Sequence, residues 1–404
     1  MIRGTARFPQ DTLDPRRRTG LILCGMGGPD GPETIAPFLQ NLFSDPAIFP
    51  LPGFIAGPLG WMIGRLRAPK IEASYALMND RCRTPQLDWT EQQAGALAWL
   101  LEDRLGGGAD VQIPEKLPWQ PPRGAQTGVN QDLSAFEKLP WQQNTDNTPH
   151  ILPAMAMRYW KPFPDETVPR LLDAGCEQFL VVPMYPQFSD STGGSTLDFV
   201  LDSVRRLAPR AAIHTLPDWH LLLGYLDALA DPVSAQLTAW AAQDVDPLHT
   251  ALIFVAHSLP MKFHDQGDPY LELTTATVGA VHTKVMAAVA RAGHKDWLSR
   301  TSGGPAAHLA FQSKVGPIKW LGPDVVDEIT GLAASGCHRV LVQPVSFTCD
   351  HVETLVELDV ELRETAEEAG ITEFLRGPAL NLNPQWLASL ASHLQTNAFS
   401  SGAA

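Results

Sequence analysis

The sequence has few charged residues, few basic residues in particular, few cysteines and no long apolar run. Charged side chains make up 18% of the 404 residues, against roughly 25% in a typical soluble domain. With 44% hydrophobic residues, this composition argues against a chain that is disordered over most of its length. The 30 basic and 44 acidic residues leave a formal charge of −14. That balance argues against a broad phosphate-binding surface, and therefore against nucleic acid as a partner.

The five cysteines are widely spaced and contain no CxxC pair. They argue against a disulfide scaffold and a structural zinc knuckle, and they indicate a reducing compartment such as the cytoplasm. The most apolar stretch, 51–64, is 14 residues long and is interrupted by Gly and Pro, so it is too short to cross a bilayer. The apolar run that follows the arginine-bearing N-terminal residues, 21–24, is too short for the core of a signal peptide.

Short apolar runs alternate with amphipathic stretches along the chain. This alternation predicts an α/β fold of two Rossmann-like halves, each built on a doubly wound parallel sheet. We expect a tail at 1–18, a first domain at 19–215, a second domain at 216–380, and a C-terminal helix and tail at 381–404. The predicted strands are 20–25, 178–184, 251–256, 308–311 and 338–345, and the predicted helices are 33–43, 168–175, 271–292, 325–335, 350–369 and 384–395.

Residues 107–150 fit neither pattern. They are rich in Gly, Pro, Gln and Asn, and they contain the hexapeptide EKLPWQ twice, at 115–120 and 137–142. Two copies are too few for a solenoid, so we interpret the segment as a surface loop inserted in the first domain. One explanation of the repeat is a duplication that has no function and that a surface loop tolerates. The alternative is a docking element for a partner protein, with Trp119 and Trp141 as anchors.

The first candidate for chemistry is His257, in the sequence AHSLP at the end of a predicted strand. Ligands of open α/β sheets bind beyond the carboxyl ends of the strands. A neutral imidazole at that place can accept a proton or bind a metal near pH 7. The alternative is a structural histidine whose nitrogens are satisfied by hydrogen bonds.

A row of glutamates follows another predicted strand. Its members are spaced by 4, 4, 3 and 4 residues, which places them on one face of the predicted helix: Glu353, Glu357, Glu361, Glu364 and Glu368. A row that starts at the ligand-binding edge of the sheet would pass cations or protons, whereas the alternative is a solvated outer face. Steps of four residues drift by about 40° each on an ideal α-helix, and a local π-helical widening would realign them.

Two further stretches suit a flat ligand that carries anionic groups. The loop 185–195 (YPQFSDSTGGS) offers hydroxyls and backbone N–H groups to an anion. Residues 49–75 place apolar side chains beside cations, which suits a flat apolar ligand with carboxylates, or a membrane face. The alternative for them is a buried hairpin. The apolar side chains are Phe54, Ile55, Leu59, Trp61 and Met62, and the cations are Arg65, Arg67 and Lys70.

Together these stretches resemble ferrochelatase, the enzyme that inserts Fe(II) into a porphyrin in the last step of haem synthesis. The resemblance implies two Rossmann-like domains around a cleft and protoporphyrin IX as the substrate. A coproporphyrin III ferrochelatase and a non-catalytic tetrapyrrole- or haem-binding protein are the alternatives. The resemblance runs from about residue 21 to residue 390 outside the insertion. Its most specific parts are AHSLP at 256–260, GDPY at 267–270, QSKVGPIKWLGP at 312–323 and FTCDHVETLVELDVE at 347–361, and AMRYWKP at 156–162 and YPQFSDSTGGS at 185–195 add to it.

The resemblance also implies roles for individual residues. His257 and Glu353 would form the active-site pair, and they would handle the metal together with Glu357 and Glu361. The porphyrin would contact a lip and an inner wall. The lip would consist of Met26, Leu39, Leu42, Arg67, Lys70, Ile71 and Tyr75, and the wall of Arg158, Ser191, Ser313, Val315 and Trp320.

Porphyrin and ferrous iron are the implied substrates, with no permanently bound cofactor. Some members of the family hold a [2Fe–2S] cluster through three cysteines near the C-terminus and one in the YPQ loop. Here residues 397–404 contain no cysteine and Asp190 stands at the loop position, so we expect no iron–sulfur cluster. We expect a cytoplasmic enzyme whose contact with the inner face of the membrane is at most peripheral, through residues 49–62.

Overall fold

The computed structural model describes residues 2–48, 53–78, 82–106, 150–314 and 318–399. The chain divides into two compact units, one made of residues 1–219 with 381–404 and the other of residues 220–380. Each unit contains one four-stranded parallel sheet with flanking helices, which confirms the predicted α/β fold. Apart from His150, the insertion predicted at 107–150 lies outside the described residues.

The sheet of the first unit contains β1 (Thr19–Gly25), β2 (Ile151–Met157), β3 (Gln178–Pro183) and β4 (Ala212–Thr215). The strand order is β2–β1–β3–β4, and all neighbours are parallel. The central strands β1 and β3 are buried along their whole length, and their apolar runs predict them. The sequence does not predict the outer strands. β2 contains Pro153, which an edge strand tolerates, and β4 is only four residues long.

The helices of the first unit are α1 (Pro32–Phe43), α2 (Gly53–Met78), α3 (Pro85–Leu105), α4 (Pro164–Asp173), α5 (Ser195–Leu207) and, from the other end of the chain, α12 (Pro384–Ala398). α1, α4 and α12 lie where the sequence predicts helices. The hairpin alternative for 49–75 is wrong, because residues 53–78 form one helix. α2 packs closely on α1, since a Cβ at Gly64 would lie 2.9 Å from the carbonyl oxygen of Ala36. The sequence does not predict α3, which is buried around most of its circumference and lacks a clear amphipathic pattern.

The sheet of the second unit contains β5 (Thr250–His257), β6 (Ala306–Gln312), β7 (Arg339–Pro344) and β8 (Glu373–Arg376). The strand order is β6–β5–β7–β8, again all parallel. β5, β6 and β7 confirm the three predicted strands, whereas β8, at the outer edge, is too short to be predicted. The register pairs His257 with Gln312 at the carboxyl ends of β5 and β6.

The acidic helix predicted at 350–369 is present, but its first part is not an α-helix. Residues Glu353–Leu362 form a π helix, and α11 (Arg363–Glu368) continues it. The predicted π-helical widening in the glutamate row is therefore confirmed. The π helix follows β7, so it begins at the same edge of the sheet as His257. The other helices of this unit are α6 (Leu223–Ala242), α7 (Met261–Asp265), α8 (Tyr270–Arg291), α9 (Lys295–Ser299) and α10 (Val325–Ala334).

Candidate active site

His257 is the last residue of β5, and Glu353 is the first residue of the π helix. Their side chains meet, with His257 Nδ1 lying 2.9 Å from Glu353 Oε2. Two hydrogen bonds hold the backbone of the histidine. Its N–H donates to Ser346 Oγ at 3.0 Å, and Tyr270 Oη donates to its carbonyl at 2.9 Å. The imidazole remains 32% exposed, whereas the Glu353 side chain is 12% exposed, so the pair presents the histidine to a ligand.

Glu357 lies behind this pair and is bound to the end of β6. Ser313 Oγ donates to Glu357 Oε2 at 2.6 Å and lies 3.4 Å from Glu353 Oε2. Gln312 Nε2 donates to Glu357 Oε2 at 3.0 Å and to the Glu353 carbonyl at 3.1 Å. Ser313 adopts a left-handed backbone conformation, with φ at 67°, and such strained residues cluster at functional sites. Together with His257, these side chains form one hydrogen-bonded cluster.

Burial and charge change the acidity of the three titratable groups in the cluster. Burial opposes the charge of His257, but the adjacent Glu353 carboxylate outweighs burial and raises the pKa of the imidazole. Burial also opposes the charge of Glu353, but His257 outweighs it and holds the pKa of that carboxyl at about 2. For Glu357, burial and the charge of Glu353 act in the same direction and raise the pKa to about 7. The cluster therefore combines a permanent carboxylate with a carboxyl that exchanges protons near neutrality.

His351 is a member of this site that the sequence reasoning missed. Its Nε2 lies 3.9 Å from Glu353 Oε1, and its Nδ1 lies 3.1 Å from the Cys349 carbonyl oxygen. Its ring packs against Phe347, with the ring centres 4.8 Å apart. Burial lowers its pKa, so it is a neutral neighbour of the Glu353 carboxylate. A histidine two residues before a candidate carboxylate was the available sequence signal.

The glutamate row leads from this cluster to solvent. Glu357 is half-buried, and Glu361, Glu364 and Glu368 are exposed. Of the four residues that the resemblance assigns to the metal, three therefore lie together, and Glu361 stands on the exposed part of the helix. Over the part of the chain that the structure describes, no group of three or more His, Cys, Asp or Glu side chains is arranged to hold a metal ion.

The residues implied to form the inner wall have different surroundings. Arg158 forms an ion pair and a hydrogen bond within the first unit. Its Nε lies 2.7 Å from Asp45 Oδ2, and its guanidinium also donates to the Ser195 carbonyl. Ser191 is buried in a short π-helical segment, Asp190–Gly194, with its Oγ 2.9 Å from Ser189 Oγ. Ser313 belongs to the cluster described above. Trp320 pairs through its backbone with Pro260, and Val315 lies outside the described residues.

The residues implied to form the lip lie after β1 and on α1 and α2. Leu39 and Tyr75 are buried, Lys70 is exposed, and the Arg67 guanidinium lies 5.5 Å from the centre of the Phe43 ring. The remaining three are half-buried: Met26, Leu42 and Ile71.

Other large apolar side chains on α2 are exposed. They are Phe54, Ile55, Trp61, Met62, Leu66 and Leu77. Leu59, which the sequence groups with them, is half-buried instead. None of the described helices has the length and apolar character needed to cross a membrane.

A comparison with known protein families covers most of this chain. The family model described as Ferrochelatase matches residues 18–114 and 135–398. The chain belongs to the ferrochelatase family. It is therefore related to metal-chelating porphyrin enzymes of haem biosynthesis. Between the two matched ranges, residues 115–134 have no counterpart in the family model. They lie within the insertion predicted at 107–150 and include the first EKLPWQ copy but not the second.

Individual ferrochelatases are similar to this chain over nearly its full length. The ferrochelatase of Synechocystis sp. is 35% identical over 380 residues, which cover 93% of this chain and 81% of the relative. The ferrochelatase of Gloeobacter violaceus is 33% identical over 384 residues, which cover 94% of this chain and 97% of the relative. Among solved structures, SirB from Bacillus subtilis with Fe3+ is 11% identical, with a TM-score of 0.34, over 61% of this chain and 81% of that one.

Proposed function

We propose that this protein is a lyase that inserts Fe(II) into protoporphyrin IX, releases two protons and needs no permanently bound cofactor. The observation that carries the proposal is the 2.9 Å contact between His257 and Glu353. Metal insertion needs a group that accepts the two pyrrole protons and a group that draws the ion away from its water. A protein that only carries haem needs neither.

In this proposal His257 accepts the pyrrole protons. Its Nδ1 faces the Glu353 carboxylate, which selects the tautomer with the proton on Nδ1 and a lone pair on Nε2. The raised pKa of the imidazole lets it hold a proton once it has taken one. The Glu353 carboxylate stabilises the imidazolium that forms.

The carboxylates serve the metal and the departing protons. Imidazole nitrogen and carboxylate oxygen are both suitable ligands for ferrous iron. In this proposal the Nε2 lone pair of His257 is used for the pyrrole protons, so the Glu353 carboxylate offers the ion a transient site beside the ring. Glu357 connects to Glu353 through Ser313, and its pKa of about 7 lets it take up and release protons at neutral pH. Two protons leave for each Fe(II) inserted, so the charge balances, and the exposed end of the glutamate row offers them a way to solvent.

The test is an anaerobic assay with purified protein, protoporphyrin IX and Fe(II), followed through the visible spectrum. We expect turnover, and we expect His257→Ala to lower kcat by about a hundredfold or more while porphyrin binding persists. Loss of binding in parallel would make His257 a structural residue. The matched control is His249→Ala, just before β5 begins, where the imidazole stacks on His338, and it should keep the wild-type rate.

The same assay separates the alternatives. A stoichiometric spectral shift without turnover would replace the proposal with a tetrapyrrole-binding function. Faster insertion into coproporphyrin III than into protoporphyrin IX would overturn the substrate assignment while leaving the reaction type in place.

A further inference from the structure

A buried arginine on the outer strand of the second sheet anchors the π helix. Arg376 ends β8, and its side chain is only 12% exposed. It binds the Asp359 carboxylate, in the middle of the π helix, through two parallel hydrogen bonds: Nε donates to Oδ1 at 2.8 Å and Nη2 donates to Oδ2 at 2.7 Å. Its Nη1 lies 3.2 Å from Oδ1 of Asp350, three residues before the π helix begins. One side chain thus ties both the approach and the middle of the helix to the sheet.

Two further contacts extend this anchor along the helix. Asp350 is itself buried, and its Oδ1 accepts a hydrogen bond from Thr354 Oγ1 at 3.0 Å. Arg363, the first residue after the π helix, donates to the Asp359 carbonyl at 3.0 Å and to the Phe374 carbonyl of β8 at 2.7 Å. The helix is therefore held from its approach to its end by polar contacts.

The register of this helix decides where Glu353 and Glu357 lie. An α-helix in its place would turn Glu357 about the helix axis relative to Glu353 and so change the contacts that the two residues make with β6. Both bind the end of β6, through the Glu353 carbonyl and the Glu357 carboxylate. A π helix is a rare conformation that needs compensating contacts. Asp350 and Asp359 supply such contacts only while the Arg376 guanidinium is present to bind both of them.

We infer that Arg376 is a positioning residue for metal insertion, which fixes the π-helical register and so keeps Glu353 and Glu357 against the end of β6. The functional part of the inference rests on the proposed function. The structural part, that Arg376 holds the π helix, does not.

The structural part is tested by hydrogen–deuterium exchange of the peptide that covers 353–362 in Arg376→Gln and Arg376→Lys. We expect faster exchange in this peptide in Arg376→Gln and a smaller increase in Arg376→Lys, which keeps the charge but loses the two-pronged contact. The control is Arg339→Gln, which breaks a 2.7 Å ion pair with Glu373 at the other end of β8 and should leave the peptide unchanged. Unchanged exchange in Arg376→Gln would overturn the inference, whether or not the protein inserts iron.

The functional part is tested by turnover. We expect Arg376→Gln to lower kcat by about 10- to 100-fold, as for other residues that orient reacting groups, with the KM for porphyrin within about threefold, and Arg339→Gln to keep kcat. Because Arg376→Gln leaves the buried Asp350 and the half-buried Asp359 without their cation, Asp359→Asn serves as a second, milder variant with the same expected direction. A wild-type rate in a folded Arg376→Gln protein would overturn the inference.

A double-mutant cycle separates positioning from general loss of structure. If Arg376 acts through the glutamates, its replacement should cost less in a Glu357→Gln background, so that the combined loss is at least about threefold smaller than the product of the two single losses. Losses that multiply would show that Arg376 acts on the fold as a whole and would overturn the inference. Absence of turnover in the wild type would instead refute the proposed function, and the exchange experiment would still decide the structural part.

Discussion

Replacement of Glu357 by Gln should change how the stability of the metal-free protein depends on pH. In the folded protein, burial and the neighbouring Glu353 charge raise the pKa of Glu357 to about 7, from an ordinary value of 4.5. Between these two values the folded state holds a proton that the unfolded chain has lost. The free energy of unfolding of the wild type should therefore fall as the pH rises from about 4.5 to about 7 and then level off.

The rise of the pKa from 4.5 to about 7 corresponds to about 3 kcal/mol, at roughly 1.4 kcal/mol for each pH unit. Glu357→Gln removes this slope. It also removes a charge that raises the pKa of His257. A histidine whose pKa is raised in the folded state stabilises the protein at low pH, and this stabilisation is lost as the pH rises above 6.5. Both effects have the same sign, so the free energy of unfolding of the variant should rise relative to that of the wild type between pH 5 and pH 8. The low pKa of Glu353 acts only below about pH 4.5 and lies outside this window.

The assay is urea unfolding followed by tryptophan fluorescence at several pH values from 5 to 8, for the wild type, Glu357→Gln and Glu361→Gln. Glu361 is exposed on the same helix, so its variant should stay within about 0.5 kcal/mol of the wild type at each pH. Parallel profiles for the wild type and Glu357→Gln would refute the reasoning, because they would mean that Glu357 has the same proton affinity in the folded and unfolded states.

Turnover should fall in a graded way along the glutamate row, because only its first members reach the cluster. Replacement by Gln should lower kcat by orders of magnitude at 353, by less at 357, by still less at 361 and hardly at all at 364 and 368. Equal kcat values for all five variants would contradict a path for protons or cations along the row. Replacement of the insertion at 107–150 by a short Gly/Ser linker should change turnover by less than about tenfold, since the segment is far in sequence from His257 and Glu353; a larger loss would show that it helps to build the site. The purified protein should contain no acid-labile sulfide, because a cluster generally takes four thiolates and the five cysteines show no ligand spacing along the chain; stoichiometric sulfide would refute this. Replacing Phe54 and Leu66, which are 80% and 73% exposed, by Ser should abolish weak co-sedimentation with anionic vesicles, whereas Leu248→Ser, at 68% exposure, should not; vesicle binding that survives the double replacement would argue against this surface.

The sequence alone determined the central strands, the fold class and the family resemblance. Parallel strands that are buried on both faces need continuous apolar runs, so β1, β3 and β5 are visible in the sequence. Outer strands such as β4 and β8 have four residues each, which is too short for a periodic pattern. α3 escaped prediction because it is buried on most sides, which weakens the contrast between polar and apolar positions that marks a helical period.

Only the tertiary structure decided which side chains meet and how they titrate. His257 and Glu353 lie 96 positions apart, and the β5–β6 register adds Gln312 beside them. The spacing of the glutamates suggested a common face, but contact with the end of β6 distinguishes Glu357 from Glu361, which is exposed on the same helix. The neutral-range pKa of Glu357 and the anchoring contacts of Arg376 depend on burial and on charges from distant parts of the chain. Such effects act through space at distances of a few ångströms, so residue spacing along the chain does not contain them.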